Sequence, residues 1–584
     1  MKAKNLLKSF ICFILLCSSS LAFAQSWNWG RAGYGAGLKP QCYCTSVASD
    51  MSGNAYITGY YSSQVSFGSD TLSNNGTNSA FLAKYAPNGN LIWATQALSD
   101  SVYSTGYGYS VATDASGNSI VTGSFTGIIT FGNYQLSSVY DYNAFFLVKY
   151  DPSGNVLWAK QSVTSIGNYY IQTYGYSVTT DKNNNIYVAG SFSDTIWVGN
   201  YELTTAGQSA PFLVKYDANG NVLWAKTANT RSAKSSSSAI SVTADSKGNA
   251  YLTGSFTGDF LFNSHSLVSL NVPSAFLVKY SGSGNVVWAK QSDNITLVTS
   301  EASATSVITD IVNNVYITGS FYDSVKFGSQ ILYSPNYYYN SYGSAFLTKY
   351  DTNGNVIWAK QSSLGMSGNS LTADPSSYAI YLGTTNNLVD TTFSFSKFSL
   401  HIAPWADNSS FLWKFDTAGI AICGSALENA GYNNTTSICC TSASGLVYLY
   451  MAGNFINTDS VTCGPDILFS YNGGYSNIFV ARWNNCAADA GINDVKGESE
   501  QVKVYPNPSN GEFTIVESGK LNMENEKSNI EVYNMLGEKV YSQFSTLNSP
   551  FSINLSDEPN GVYLYRVINE SGSLIGNGKL VIEK

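Results

Sequence analysis

KYDPSGNVLWAK, residues 149–160, recurs with small changes along most of the 584-residue chain. Close copies are KYAPNGNLIWAT from Lys84, KYDANGNVLWAK from Lys215, KYSGSGNVVWAK from Lys279 and KYDTNGNVIWAK from Lys349, and KFDTAGIAICGS from Lys414 is a weaker echo. The stretch reads as a hairpin. Alternating apolar residues run to Tyr150, a short turn carries Asp151 and Gly154, and Val156 to Ala159 return as a second strand. Gly154 supplies the positive φ that the turn requires. Trp93, Trp158, Trp224, Trp288 and Trp358 hold one register at spacings of 65, 66, 64 and 70 residues, so each period is one structural unit.

A second signature precedes each hairpin. It reads SVASDMSGNAYITG from Ser46, SVATDASGNSIVTG from Ser110, SVTTDKNNNIYVAG from Ser177, SVTADSKGNAYLTG from Ser241 and SVITDIVNNVYITG from Ser306, with worn copies from Ser370 and Ser437. Together the two signatures give four short strands per repeat, A (SVAT), B (NAYITG), C (AFLVKY) and D (NVLWAK). Seven such units predict an all-β chain built as a seven-bladed β-propeller over residues 25–486, because one blade alone cannot bury both faces. The seventh copy lacks strand D, and SWNWGRAG from Ser26 supplies the matching Trp29-Gly30-Arg31 at the other end. An N-terminal strand completing the last blade removes the free edge.

Strand alternation places the tight A-to-B and C-to-D turns on one face and the long B-to-C and D-to-A connections on the other. The long connections are rich in Tyr, Ser, Asn and Gly, a composition suited to recognition. Tyr140, Tyr142, Tyr169, Tyr170, Tyr174, Tyr337, Tyr338 and Tyr339 are therefore the candidate binding residues, with a glycan or a surface protein as the partner. Within the B-to-C connections, VSFG at Val65, ITFG at Ile129 and VKFG at Val325 are expected to pack each connection back on its own blade. The repeated turn Asp residues read as caps of their own turns, so no metal site is expected.

Charged residues make up 12% of the chain, about half the usual share, and the formal net charge is -8. Nucleic acid is not an expected partner. Residues 1–24 have the basic start, apolar run and small-residue site of a secretory signal peptide, and no other apolar run reaches the length of a transmembrane segment. Export makes disulfides the default reading for Cys42, Cys44, Cys423, Cys439, Cys440, Cys463 and Cys486, the odd number leaving one over. His265 and His401 are the only histidines, and neither sits in a catalytic motif. No catalytic residue and no cofactor is assigned; binding and adhesion is the first reading. A carboxylate-pair carbohydrate-active enzyme is the alternative, together with a quinoprotein-like oxidoreductase.

Near residue 487 the repeat ends and charged residues become denser. Residues 487–501 read as a linker, and 502–584 alternate like the strands of a small antiparallel sandwich. Within them, Tyr505-Pro506-Asn507-Pro508 with Gly511, Gly537, Gly561 with Tyr563, and Lys579 resemble the type A sorting domain of the type IX secretion system of Bacteroidetes. The resemblance implies contact with that secretion machinery and delivery to the outer cell surface or medium. The repeats resemble SBBP-type repeats of extracellular bacterial proteins, which share architecture without a shared activity. The Trp-bearing turn is also similar to the tryptophan-docking motif of quinoprotein dehydrogenases, whose vicinal disulfide Cys439-Cys440 would mimic. Those proteins carry an extra turn residue and eight blades.

Overall fold

The computed structural model describes residues between 27 and 483 and between 502 and 584, leaving out short stretches such as 139–141, 165–170, 335–342 and 403–408. The expected signal peptide and linker lie outside the described residues, as do Tyr140, Tyr169, Tyr170, Tyr337, Tyr338, Tyr339, Cys486 and Gly537. The chain divides into two compact units, 1–486 and 487–584. The described residues form strands and turns with no helix.

In the first unit the four-strand pattern is repeated seven times, each module pairing antiparallel in the order A-B-C-D. The A strands are Cys42–Ser49, Thr105–Thr113, Thr173–Thr180, Ser236–Ala244, Glu301–Thr309, Met366–Ala373 and Asn433–Ala443. Module 2 shows the register: Ile120 faces Ala112 on strand A and Lys149 on strand C, and Lys149 faces Trp158 on strand D. In module 7 the place of strand D is taken by Trp27–Ala36. There Trp29 faces Arg482 and Gly30 faces Ala481, the register that Trp158 and Ala159 hold against Lys149 and Val148.

Three sets of contacts carry each module onto the next. The first belongs to the repeated tryptophans. The indole N–H of Trp93 donates to the carbonyl of Pro152 at 3.1 Å, Trp224 to Gly282 at 3.1 Å and Trp288 to Thr352 at 3.2 Å, always in the C-to-D turn of the following module. Trp29 of the N-terminal strand donates to Pro87 of module 1 at 2.9 Å, so the same clasp joins the two ends of the repeat. The indole lies flat on the glycine of that turn. A Cβ on Gly284, whose φ is +81°, would sit 2.9 Å from the Trp224 ring, so both the backbone angle and the ring demand glycine. Cys423 of module 6 stands where the other D strands have tryptophan; it is disulfide-bonded.

The second set is a relay of hydroxyls. Ser46 Oγ accepts the amide of Val111 at 3.3 Å, Ser110 that of Val178 at 3.2 Å, and the pattern runs on through Ser177, Ser241, Ser306 and Ser370 to the amide of Ile438 at 3.1 Å. Between modules 7 and 1 the bond is made instead by Asn454, whose side-chain oxygen accepts the Cys44 amide at 2.6 Å. The serine of the SV signature is therefore a joint between neighbouring strands.

The third set corrects an expectation. The VSFG-type segments do not pack on their own module alone. Ile128–Phe131 pairs with Leu98–Ser99, which prolongs strand D of the preceding module, while its hairpin partner Tyr134–Ser137 exchanges two hydrogen bonds with Gln161 of its own strand D. A strand D at the outer edge of a sheet leaves unpaired backbone groups, and this hairpin covers them.

In the second unit, Val502–Tyr505, Glu512–Glu517 and Phe551–Asn554 form one sheet, and Lys527–Tyr533, Lys539–Thr546, Gly561–Asn569 and Leu574–Ile582 form another. Phe513 and Ile553 of the first share a core with Ile530, Val532, Val567 and Leu580 of the second.

Replacing Trp224, which is 7% exposed, tests the clasp. Trp224→Ala is expected to destabilise the first unit by about 3–5 kcal/mol, read as a lower melting temperature. Trp224→Phe keeps ring packing on Gly284 but leaves the Gly282 carbonyl without its donor, and is expected to cost less, about 1–3 kcal/mol.

Candidate functional site

The site begins with the glycine that ends each strand B signature. A Cβ on Gly123 would overlap the carbonyl oxygen of Tyr107, and one on Gly59 that of Tyr43. Every strand A carries a β-bulge, between Gly108 and Ser110 in module 2 and between Cys44 and Ser46 in module 1, and the close approach accompanies it in every module but the sixth, where a Cβ on Gly383 would lie 3.8 Å from the Ser370 carbonyl. The bulged residues are Thr45, Tyr109, Tyr176, Ile240, Thr305, Asn369 and Thr436. With the serine that follows each, they line a cavity of about 300 Å³ bounded by all seven A strands. No Asp, Glu, His, Lys or Arg is among the lining residues.

Two residues further back on each strand A, at the end where the long connections enter, stand Tyr43, Tyr107, Tyr174, Ser238, Ser303, Ser367 and Asn434. Aromatic rings therefore occupy modules 1 to 3 and small polar side chains modules 4 to 7. The rings touch in sequence. Tyr43 and Tyr60 have centroids 5.0 Å apart, Tyr60 and Tyr107 4.8 Å, Tyr107 and Tyr109 6.3 Å, Tyr109 and Tyr176 5.6 Å, and Tyr176 and Tyr174 5.5 Å. All six are half-buried. Three of their hydroxyls are tied down: Asn78 donates to Tyr107 at 3.0 Å, Ser124 to Tyr109 at 3.0 Å and Asn143 to Tyr174 at 3.1 Å. Burial, with Tyr43 and Tyr107 alongside, pushes the Tyr60 hydroxyl up to about 12, so it is neutral at physiological pH.

Of the eight candidate tyrosines, Tyr174 belongs to this arc. Tyr142 is half-buried and packs against the core of modules 2 and 3; the other six lie outside the described residues. Tyr43, Tyr60, Tyr107, Tyr109 and Tyr176 sit in strands, where the recognition composition of the connections does not point to them. The signal was present as Tyr at one and three positions before the SV serine in GYGYS and TYGYS.

The opposite end of the strands is closed chemically. Asp181 Oδ1 accepts the amides of Asn183 and Asn185 at 2.9 and 3.0 Å, and Oδ2 accepts the Asn185 side chain at 2.8 Å and the Tyr187 hydroxyl at 3.2 Å, with Lys215 3.8 Å away. The carboxylate is spent on its own turn. In module 2 Ile120 replaces the tyrosine and Lys149 closes to 2.8 Å from Asp114. Burial there pushes the Asp114 carboxyl up, but hydrogen bonds from Lys149 and Asn118 outweigh it and hold it below the usual carboxylate range. His265 ends a hairpin of module 4, whereas His401 lies in module 6 with its Nδ1 2.9 Å from Thr392 Oγ1.

Five of the seven candidate disulfide cysteines are free thiols: Cys42, Cys44, Cys439, Cys440 and Cys463. Successive strand residues face opposite ways, and Cys439 packs toward module 1 while Cys440 packs toward module 6, so the adjacent pair is not the vicinal disulfide of the oxidoreductase alternative. Cys42 Sγ meets the Ser476 carbonyl at 3.2 Å instead of another sulfur. Burial pushes the thiols of Cys42, Cys44, Cys439 and Cys463 up to about 12. At pH 8 on the order of one in ten thousand of each is thiolate. Iodoacetamide is therefore expected to label none of them in the native chain and all five after unfolding, as counted by mass spectrometry.

In the second unit the sorting-type residues share one corner. Tyr505 is 51% exposed, Asn507 donates to the Lys579 carbonyl at 2.6 Å and accepts the Val581 amide at 2.8 Å, and the Tyr563 hydroxyl donates to Pro559 at 2.9 Å. Gly511 has φ +112° and a Cβ there would meet Ser556 at 2.6 Å, whereas a Cβ on Gly561 would meet nothing within 4 Å. Buried Glu531 accepts hydrogen bonds from Tyr533 (2.7 Å), Arg566 (2.6 Å) and Lys539 (3.1 Å), which hold its carboxyl down at about 2. A depressed folded pKa gives stability that is present above the ordinary range, near 4.5, and is lost as pH falls toward about 2. Glu531→Gln is expected to flatten that acid limb of the unit's melting temperature in calorimetry of the full chain.

Residues 503–583 match the family model described as a secretion system C-terminal sorting domain, and residues 163–191 match that of a beta-propeller repeat. The chain thus carries β-propeller repeats and a type IX sorting domain, which indicates export to the cell surface or extracellular space. An uncharacterized WD repeat-containing protein, L264, of Acanthamoeba polyphaga mimivirus is 31% identical over 238 residues, 35% of this chain, and the match takes in 16% of the length of that relative. Among solved structures, a protein of unknown function from Dyadobacter fermentans DSM 18053 aligns over 78% of this chain and 99% of its own at 10% identity and TM-score 0.33. A mutant of Synechocystis apocarotenoid oxygenase aligns over 77% and 95% at 10% identity and TM-score 0.33. Neither structural likeness carries an argument about chemistry.

Proposed function

We propose that residues 25–486 form a seven-bladed propeller closed by its N-terminal strand, that 502–584 form a sandwich that delivers it through the type IX machinery, and that the propeller binds and adheres instead of catalysing. Residues 1–24 serve as the signal peptide and 487–501 as the linker. The partner is a glycan or a surface protein. The observation that carries this reading is the arc of six touching tyrosines on the long-connection face, set against a turn face whose carboxylates are consumed by their own backbone. Tyrosine offers a large amphipathic area with little side-chain entropy to lose, which suits recognition. Tyr140, Tyr142, Tyr169, Tyr170, Tyr337, Tyr338 and Tyr339, which belong in sequence to the long connections, remain further candidates for contact with the partner. The uncharged cavity supports binding over turnover, since no carboxylate, imidazole or amine lines it.

Adhesion of beads coated with the full chain to producer and neighbouring cells tests the reading. Tyr107→Ser with Tyr174→Ser is expected to abolish adhesion, and Met51→Ser with Ile311→Ser, on the turn face, to leave it unchanged; the reverse pattern overturns the proposal. Deleting 502–584 is expected to leave the chain in the periplasm, read by fractionation, and unchanged surface delivery counts against the sorting role.

A further inference from the structure

We infer that the arc and the cavity beside it form a subsite for a neutral glycan, a chain of uncharged hexopyranose rings. This rests on the binding-face reading above and narrows it to one ligand chemistry. The cavity of about 300 Å³ is lined without a single charged side chain, in a protein that places Lys and Asp together at the other end of the same modules. An acidic or basic peptide, or a charged sugar, would give up hydration there with no opposite charge to replace it. What the site does offer is unequal on its two sides. Tyr107, Tyr109, Tyr174 and Tyr176 present aromatic rings from modules 2 and 3, with Tyr107 over Tyr109 at an interplanar angle of 13° and Tyr174 over Tyr176 at 12°. Across the ring of strands, Ser303 and Asn369 stand at the equivalent positions. A hexopyranose has this same asymmetry, with C–H groups on its faces and hydroxyls around its rim. The faces match the electron-rich tyrosine rings and the rim matches hydroxyl and amide partners. Fixed hydroxyls on Tyr107, Tyr109 and Tyr174 mean that little is left to order when a ligand arrives.

The test uses the full chain against an array of neutral and acidic glycans, with calorimetric titration of cellohexaose, mannohexaose and polygalacturonate. Binding to at least one neutral hexopyranose chain is expected. Its affinity should fall tenfold or more in Tyr107→Ser with Tyr174→Ser, at an unchanged melting temperature, and stay within about twofold in Tyr109→Phe, which keeps the ring and loses only the hydroxyl. Absence of neutral-glycan binding, binding confined to acidic glycans, or full affinity in the double serine variant overturns the inference. The cell-adhesion assay separates the two levels. If the serine variant loses adhesion while no neutral glycan binds, the binding face stands and the glycan class falls; if adhesion survives in that variant, both fall.

Discussion

An indole N–H that leaves water must find an acceptor, and in this chain each conserved-register tryptophan finds it in the turn of the next module. Trp93 reaches Pro152, Trp224 reaches Gly282 and Trp288 reaches Thr352, and each ring lies on a glycine that has no Cβ to obstruct it. One residue thus specifies a distance, an orientation and a neighbour. Trp29 makes the same bond to Pro87, at the same separation of 58 positions as Trp224 from Gly282, which ties the N-terminal strand to the first module as well as to the last. Where the tryptophan is missing, in module 6, a disulfide-bonded Cys423 holds its place.

That clasp leaves the two ends of the modules with different freedom. At the turn end, Asp, Asn, Tyr and Lys satisfy one another and the backbone, so little side chain is left to vary. At the other end the strand B glycine admits a bulge in strand A, and the bulge turns one residue per module into the central cavity. Since the bulge is backbone geometry, the residue it presents is free to change: Tyr in modules 2 and 3, Thr, Ile or Asn elsewhere. The fold does not depend on what stands at this position, which is why it can differ from module to module.

The tyrosines of the arc are harder to read than the modules for the same reason. Runs of tyrosine in long connections attract notice as a recognition composition, whereas Tyr107 and Tyr109 look like ordinary strand residues facing one side of a sheet. Only the bulge shows that Tyr109 faces a cavity, with Tyr107 stacked beside it, and only the neighbouring modules show that Tyr60 and Tyr176 extend them into one surface. The cysteines mislead in the opposite sense. An oxidising destination argues for pairing, yet Cys439 and Cys440 project to opposite sides of one strand and pack against different cores.

What the sequence by itself determined, besides the C-terminal match to a sorting domain, is everything that repeats: the strands and turns of each module, the clasp tryptophan and its glycine, and the capping aspartates. Each of these is local chemistry stated several times over, so a single chain suffices to recognise it. What only the tertiary structure decided is what differs between modules once they stand side by side. Six tyrosines from three modules touch because inter-module hydrogen bonds bring the A strands together, and the VSFG hairpins join two sheets because the outer edge of one strand D lies open beside the next. Neighbourhoods between residues some 65 positions apart leave no trace in local spacing, and it is these that make the candidate site.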